Sequence, residues 1–162
     1  AHGDDAPART PDLAAMEQSD LLPFKEMIAS MGDRSLLMTG HLDVPGLTDG
    51  GEPFSLNPEA MKYLRATTGH DGVTVTDELA EMGAITKRGI SVPNAVEMAL
   101  VAGNDMALYF GDVDQMNEVL DHLEAAVADG RLTEDQVDRS LARIVPLKSA
   151  GACTTPVPAQ AG

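Results

Sequence analysis

Residues 69–85 hold the side chains best suited to chemistry. Residues 73–76 are β-branched, which is typical of a buried strand, and the acidic pair Asp77 and Glu78 follows them directly. Parallel α/β proteins place their chemistry mostly in the loops that follow the carboxyl ends of strands. A carboxylate at this position could act on a substrate. Asp77 could also cap the next helix, and its position in the sequence fits both roles.

Three further polar residues are candidates for the same site. His41 and Asp43 follow another short apolar run, so by position they could face the same mouth as Asp77 or satisfy the backbone of their own loop. Glu78 could repel the negative charge of the neighbouring Asp77, cap a helix or point into solvent. The sequence leaves these alternatives open.

Metal and nucleotide chemistry lack their usual motifs. His70 and His122 have no His, Cys or carboxylate partner at ligand spacing, which predicts no metal site. The glycine-rich loop 46–51 lacks the Lys-Ser/Thr pair of a phosphate-binding loop and does not lead directly into a helix. We therefore expect no cofactor.

The composition excludes several classes of partner. The chain has 162 residues, enough for one domain, and its 26 Asp and Glu against 11 Lys and Arg give a formal net charge of -15. A phosphate backbone or an anionic membrane would repel such a chain, so nucleic acid is not an expected partner. No apolar run approaches the roughly 18 residues that span a bilayer. Cys153 is the single cysteine and cannot form an internal disulfide.

The order of the predicted elements indicates a parallel α/β fold. Strands are predicted at 35–39, 73–76 and 105–110, and helices lie between and around them. The helices are predicted from residue 12, at 19–31 and 58–67, from residue 91 to 103, at 113–129 and from residue 133. Such alternation implies right-handed βαβ crossovers and a parallel sheet. Because a closed (β/α)8 barrel needs about 250 residues, three strands form either a small open sheet or part of a barrel.

Residues 70–85 resemble the nucleophile segment of glycoside hydrolase family 3, in its bacterial β-N-acetylhexosaminidase branch. That segment has an Asp-Gly pair, an apolar strand, Ser or Thr before an Asp, an acidic residue and Leu after it, and Met-Gly-Ala nearby. Here His70 replaces the usual phenylalanine, and the spacing to Met82 is slightly longer. Five further segments resemble the family in the same order, namely 20–24, 37–45, 55–58, 102–106 and 138–144.

The resemblance implies a fold class and a domain organisation. The fold would be α/β, a partial (β/α)8 TIM barrel of about three parallel βα units, strands six to eight, with flanking helices. Residues 12–148 would be the C-terminal part of the catalytic barrel. Residues 1–11 would be a loop remnant, and the low-complexity residues 149–162 a disordered tail.

The resemblance also implies a reaction and its residues. Asp77 would be the nucleophile of a retaining hydrolysis of terminal N-acetylglucosamine-type β-glycosides, with an oligosaccharide as substrate. The branch uses a His held by an Asp as acid/base, and in the shortened segment 1–7 the candidate for that role is His2. Substrate-binding candidates are His41, Asp43, Glu78 and Met82.

Two hypotheses stand beside the enzyme. The chain could be a catalytically silent partial barrel that folds by association with a complementary half or with another copy, since an isolated partial barrel leaves strand edges unpaired. It could also be an unrelated small α/β binding domain.

Overall fold

The computed structural model describes residues 6–32 and 35–150. In chain order the elements are β1 (Ala8–Arg9), α1 (Leu13–Gln18), α2 (Leu21–Met31), β2 (Leu36–Thr39), β3 (Leu42–Asp43), a 3₁₀ helix (Phe54–Leu56), α3 (Pro58–Thr68), β4 (Val73–Glu78), α4 (Gly83–Thr86), α5 (Val92–Ala102), β5 (Met106–Leu108), α6 (Val113–Ala128) and α7 (Glu134–Ala150). None of the helices described is long and apolar enough to cross a membrane.

The main sheet has three parallel strands in the order β2-β4-β5. Thr39 of β2 lies opposite Thr76 of β4, and Val75 of β4 lies opposite Met106 of β5. Helix α3 connects β2 to β4, and α4 and α5 connect β4 to β5. These are three βα units of a partial barrel, as the sequence predicts.

Local capping explains where several helices begin. The Asp12 side chain accepts the N–H of Ala15 at the start of α1 at 2.8 Å. The Asn57 side chain accepts the N–H groups of Glu59 and Ala60 at 2.9 and 3.1 Å, and a proline follows at the first helical position of α3. The predicted starts at residues 12 and 58 are confirmed.

The apolar core lies between the helices and one face of the sheet. Its buried members come from the 3₁₀ helix, the loop after β4, and helices α4, α5 and α6: Leu56, Leu79, Ile85, Ala95, Val96, Ala99 and Val119. Small residues on α5 allow close approach of α6, since Ala95 and Ala99 are fully buried. This packing fixes β4 relative to the helices that follow it.

The opposite face of the sheet is covered only in part. Leu36 and Met38 of β2 are 48% and 54% exposed, and by register they share a face with Val73 and Val75 of β4. In a closed barrel this face would point inward and be packed by side chains from the other strands. The exposed side chains are therefore the direct mark of an incomplete barrel.

The structure corrects four boundaries. Ala8–Arg9, predicted as loop, forms β1 and pairs in parallel with β3, which sequence analysis did not predict. The central strand continues through Asp77 and Glu78, so this pair ends the strand instead of following it. The third strand, predicted at 105–110, is confined to β5. Helix α7 extends to Ala150, two residues beyond the predicted end of the barrel.

Candidate active site

Asp77 lies at the carboxyl end of the central strand. It is half-buried, and its Oδ1 accepts the backbone N–H of Glu78 at 2.8 Å. Because side chains alternate along a strand, Asp77 shares the inner face of the sheet with Val73 and Val75. The strand therefore directs one carboxylate toward the space that a complete barrel encloses.

The backbone around Asp77 lies beyond the regular ladders. Pairing with β2 ends at Thr39 opposite Thr76, one residue before Asp77. On the other side the register shifts between Val75 and Glu78, which lie opposite Met106 and Leu108 of β5. Asp77 therefore lies where the pairing of β4 stops on one side and shifts its register on the other.

The carboxylate of Glu78 is buried and bound by backbone N–H groups. Its Oε1 accepts from Ala80 at 2.6 Å and from Phe110 at 3.1 Å, and its Oε2 accepts from Glu81 at 2.6 Å. Glu78 is 7% exposed, so it neither points into solvent nor caps a long helix. It joins the loop after β4 to the segment after β5.

The imidazole of His41 lies next to the same strand end. His41 is 3% exposed, with Nε2 at 2.8 Å from the carbonyl oxygen of Glu78 and Nδ1 at 2.6 Å from Oγ of Ser55. Burial lowers the pKa of His41, although the Glu78 carbonyl and the negative charges of Asp77 and Glu78 raise it in part. The ring is therefore neutral near pH 7 and holds the wall of the site.

A buried polar chain continues from His41 beneath the strand ends. The Asn104 side chain donates to the carbonyl of Ser55 at 2.8 Å, and its Oδ1 accepts from the Thr39 hydroxyl at 2.8 Å. Asn104 is 1% exposed. The chain links the segments around all three strands of the main sheet.

Asp43 organises its own loop. Its Oδ1 accepts from the N–H of Gly50 at 2.8 Å and from the Thr48 hydroxyl at 2.9 Å, and its Oδ2 pairs with Arg9 at 3.0 Å. The hydrogen bonds from Gly50 and Thr48, with the charge of Arg9, lower the pKa of Asp43 against the opposing effect of burial. This contact holds the two-residue ladder of β1 and β3 in place.

Two sequence candidates remain, Met82 and His2. Met82 is half-buried and immediately precedes α4. His2 lies outside the described residues. Contact of Met82 with a sugar and the acid/base role of His2 stay predictions.

His70 is a buried structural residue. It is 2% exposed, its Nδ1 lies 3.4 Å from the Ser35 hydroxyl, and its Nε2 lies 3.2 Å from the carbonyl oxygen of Val73. Over residues 6–32 and 35–150 no group of three or more His, Cys, Asp or Glu side chains is arranged to hold a metal ion.

The amino-terminal edge of the sheet has its own polar cluster. Asp105 accepts from Arg65 at 2.8 Å, from Arg143 at 3.1 Å, from Ser140 at 2.9 Å and from the N–H of Thr74 at 2.9 Å. A cavity of about 490 Å³ lies beside this cluster, between α3, the end of α5 and α7. The cluster attaches the closing helix to β4 and β5.

Sequence reasoning did not find the roles of Ser55, Asn104 and Asp105. Each is a polar residue inside or beside an otherwise apolar segment, and buried polar groups require partners. That signal marks such residues as structural but does not name their partners, which lie 14 to 65 residues away in the polar chain.

The parallel βα units define the class of the fold as part of a (β/α)8 barrel. The family model described as "Glycosyl hydrolase family 3 N terminal domain" matches residues 2–147. The chain belongs to this family.

Relatives within the family are named β-hexosaminidases. The chain is 40% identical over 146 residues to "Beta-hexosaminidase LpqI" of Mycobacterium tuberculosis, covering 86% of this chain and 36% of the relative. It is 31% identical over 156 residues to "Beta-hexosaminidase A" of Pseudoalteromonas piscicida, covering 85% of this chain and 25% of the relative. The chain thus spans about a third or less of the length of these relatives.

Solved structures give the same family and fold. A glycosyl hydrolase of the GH3 family from Mycobacterium smegmatis superposes with a TM-score of 0.80 at 36% identity, covering 89% of this chain and 45% of that one. A family 3 β-N-acetylglucosaminidase from a Paenibacillus species superposes with a TM-score of 0.80 at 34% identity, covering 96% of this chain and 30% of that one. The architecture is therefore that of a part of such a barrel.

Proposed function

We propose that this chain carries the nucleophile part of a retaining β-N-acetylhexosaminidase site, with Asp77 as the nucleophile. The observation that supports it is the half-buried carboxylate at the carboxyl end of the central parallel strand, on the inner face of the sheet. Enzymes of barrel architecture place catalytic groups at this end of their strands. In domain terms, we propose that residues 12–148 are the C-terminal part of the catalytic barrel.

The main contribution of this chain to the retaining hydrolysis would be the oriented carboxylate of Asp77. An oxygen of Asp77 attacks the anomeric carbon, the bond to the leaving oxygen breaks, and that oxygen takes a proton from a general acid. The resulting glycosyl ester on Asp77 is then hydrolysed by water, which the same group deprotonates as a base. His2 remains the sequence-based candidate for that second group.

The proposed substrates are terminal N-acetylglucosamine-type β-glycosides. Two relatives and one solved structure bear the names β-hexosaminidase and β-N-acetylglucosaminidase, which supports this class. Because the fold already uses the polar atoms of His41, of the Asp43 carboxylate and of the Glu78 carboxylate, their predicted sugar contact is less favoured than that of Met82.

A second candidate is a partial barrel that acts only after association. Apolar side chains are exposed at both sides of the sheet: Leu36 and Met38 on β2, Phe110 after β5, and Val113 on α6, the last two at 64% and 69%. Their exposure supports association, and the formal charge of -15 on each chain disfavours a second copy as the partner. In this case the glycosidase site forms only in the assembled barrel.

The first test is turnover of a chromogenic β-N-acetylglucosaminide with an activated leaving group. Such a leaving group needs little help from an acid, so the assay reports on the nucleophile even where the acid/base is weak. We expect activity that Asp77→Asn abolishes and that Glu118→Gln, an exposed carboxylate on α6, leaves unchanged. Equal rates for the wild-type chain and Asp77→Asn would refute an autonomous enzyme.

Chemical rescue separates a nucleophile from a merely structural carboxylate. In Asp77→Gly, azide can enter the vacated space and attack the anomeric carbon from the side that the carboxylate used. We expect azide to restore turnover and to yield the α-glycosyl azide. Restored turnover with a β-configured product would contradict the nucleophile role.

Association is tested by the mass of the chain in solution, alone and with a polypeptide that supplies the first five βα units of a family barrel. A larger complex with gained turnover supports the second candidate. A stable monomer that unfolds cooperatively and ignores the added half would refute it.

A further inference from the structure

The end of β4 needs support that its strand neighbours do not give. Regular pairing with β2 stops at Thr76, and pairing with β5 is irregular between Val75 and Glu78. Asp77 is therefore anchored neither by regular strand pairing nor by a side-chain hydrogen bond to a residue distant in sequence. The hydrogen bond of its side chain is local, from the N–H of Glu78 to Oδ1 of Asp77.

Glu78 supplies one support. Its carboxylate accepts three backbone N–H groups, from Ala80, Glu81 and Phe110, at 2.6 to 3.1 Å. Both oxygens are used as acceptors, which suits the ionised form because a protonated carboxyl would have to donate from one of them. The side chain thereby ties the loop after β4 to the segment after β5.

His41 supplies the other support. The carbonyl oxygen of Glu78 can only accept, so Nε2 of His41 donates to it, and the neutral ring leaves Nδ1 to accept from the Ser55 hydroxyl. The peptide that joins Glu78 to Leu79 is thus held through its carbonyl by His41. The side chain of the same residue, Glu78, is held by the backbone N–H groups of Ala80, Glu81 and Phe110.

We propose that His41 and Glu78 are positioning residues that together fix the carboxylate of Asp77 for attack. The proposal rests on the proposed function only in that the fixed carboxylate of Asp77 attacks the anomeric carbon. That the two residues fix it is a separate statement about geometry. Misplacing a reacting group by about 1 Å can cost about 100-fold in rate, so such support has a measurable consequence.

The geometry is tested by nuclear magnetic resonance on the chain itself, whether or not it turns substrate over. The three-bond coupling between the backbone nitrogen and Cγ of Asp77 reports whether χ1 occupies one rotamer or averages over several. We expect one rotamer in the wild-type chain and in the control Glu118→Gln, and averaging in Glu78→Gln and His41→Leu. Full retention of the single rotamer in both variants would overturn the proposal.

A conservative variant separates positioning from general packing. His41→Gln can still donate an amide N–H toward the Glu78 carbonyl, whereas His41→Leu fills similar space without a donor. We expect His41→Gln to recover the wild-type coupling at Asp77. If Glu78→Gln does not fold, the two His41 variants still decide, and equal coupling in both would overturn the proposal.

Turnover provides the second readout. Where the wild-type chain is active, we expect Glu78→Gln and His41→Leu to lower kcat about 10- to 100-fold with KM within about twofold. An unchanged kcat would overturn positioning. A wild-type chain without turnover would count against the proposed function alone, because the coupling at Asp77 still tests the two supports.

Discussion

Asp105→Asn tests whether the buried cluster at the amino-terminal edge holds the closing helix to the sheet. The carboxylate is 1% exposed and binds Arg65 and Arg143, whose side chains are 20% and 22% exposed. It also accepts from Ser140 and from the N–H and hydroxyl of Thr74. Asparagine keeps the shape but removes the charge and turns an amide N–H₂ toward donors.

The size of the effect follows from the burial of the pair. Removing one partner of a buried ion pair costs about 3 to 5 kcal/mol, because the other partner stays buried without compensation. Arg65 keeps its bonds to the carbonyls of His70 and Gly72, and Arg143 keeps Asp71, so we place the loss at about 3 kcal/mol. Asp71 is 80% exposed, and Asp71→Asn is expected to cost less than about 1 kcal/mol.

The assay is urea unfolding of both variants and the wild type at one protein concentration, since association would shift the midpoints. Exchange of the amide protons of α7 measures its attachment separately. We expect Asp105→Asn to lose stability and α7 to lose protection, and Asp71→Asn to do neither. Equal stability of the two variants would refute the assignment of Asp105 as the anchor of α7.

Three further predictions use other parts of the chain. Burial lowers the pKa of His41 below its ordinary 6.5, so the folded state binds fewer protons than the unfolded one, and urea unfolding at a series of pH values should show stability falling as the pH drops through and below 6.5, a contribution that His41→Gln removes. Leu79 is 1% exposed in the core, so Leu79→Ala should cost about 2 to 5 kcal/mol in urea unfolding, whereas Leu120→Ala at 52% exposure should cost less than about 0.5. Met38→Glu should weaken association with a complementary half in a titration, because it places a charge on the exposed inner face.

Sequence predicted those features that short-range rules control. The cap at Asn57 is set by residues next to it in the chain, and the β-branched run before Asp77 identifies the central strand without tertiary information. The parallel arrangement followed from the alternation of strands and helices. The resemblance added the position of the three strands within a barrel.

Features that depend on distant partners escaped sequence reasoning. The carboxylate of Glu78 binds the N–H of Phe110, 32 residues later, and no local pattern encodes that contact. The ladder between β1 and β3 is only two residues long, and it lies in segments whose proline and glycine content predicts loop. Buried polar side chains reveal their partners only once the strands are assembled.

The central claim, that Asp77 is the nucleophile, is tested most directly by trapping the glycosyl ester. A 5-fluoro-N-acetylglucosaminyl fluoride carries a leaving group that needs little acid assistance, and its ring fluorine slows hydrolysis of the ester. After incubation, mass spectrometry of the intact chain and of its peptides locates any attached sugar. We predict one sugar per chain, on the peptide that contains Asp77, and none on Asp77→Asn. An unlabelled wild-type chain, or an ester at another carboxylate, would contradict the claim.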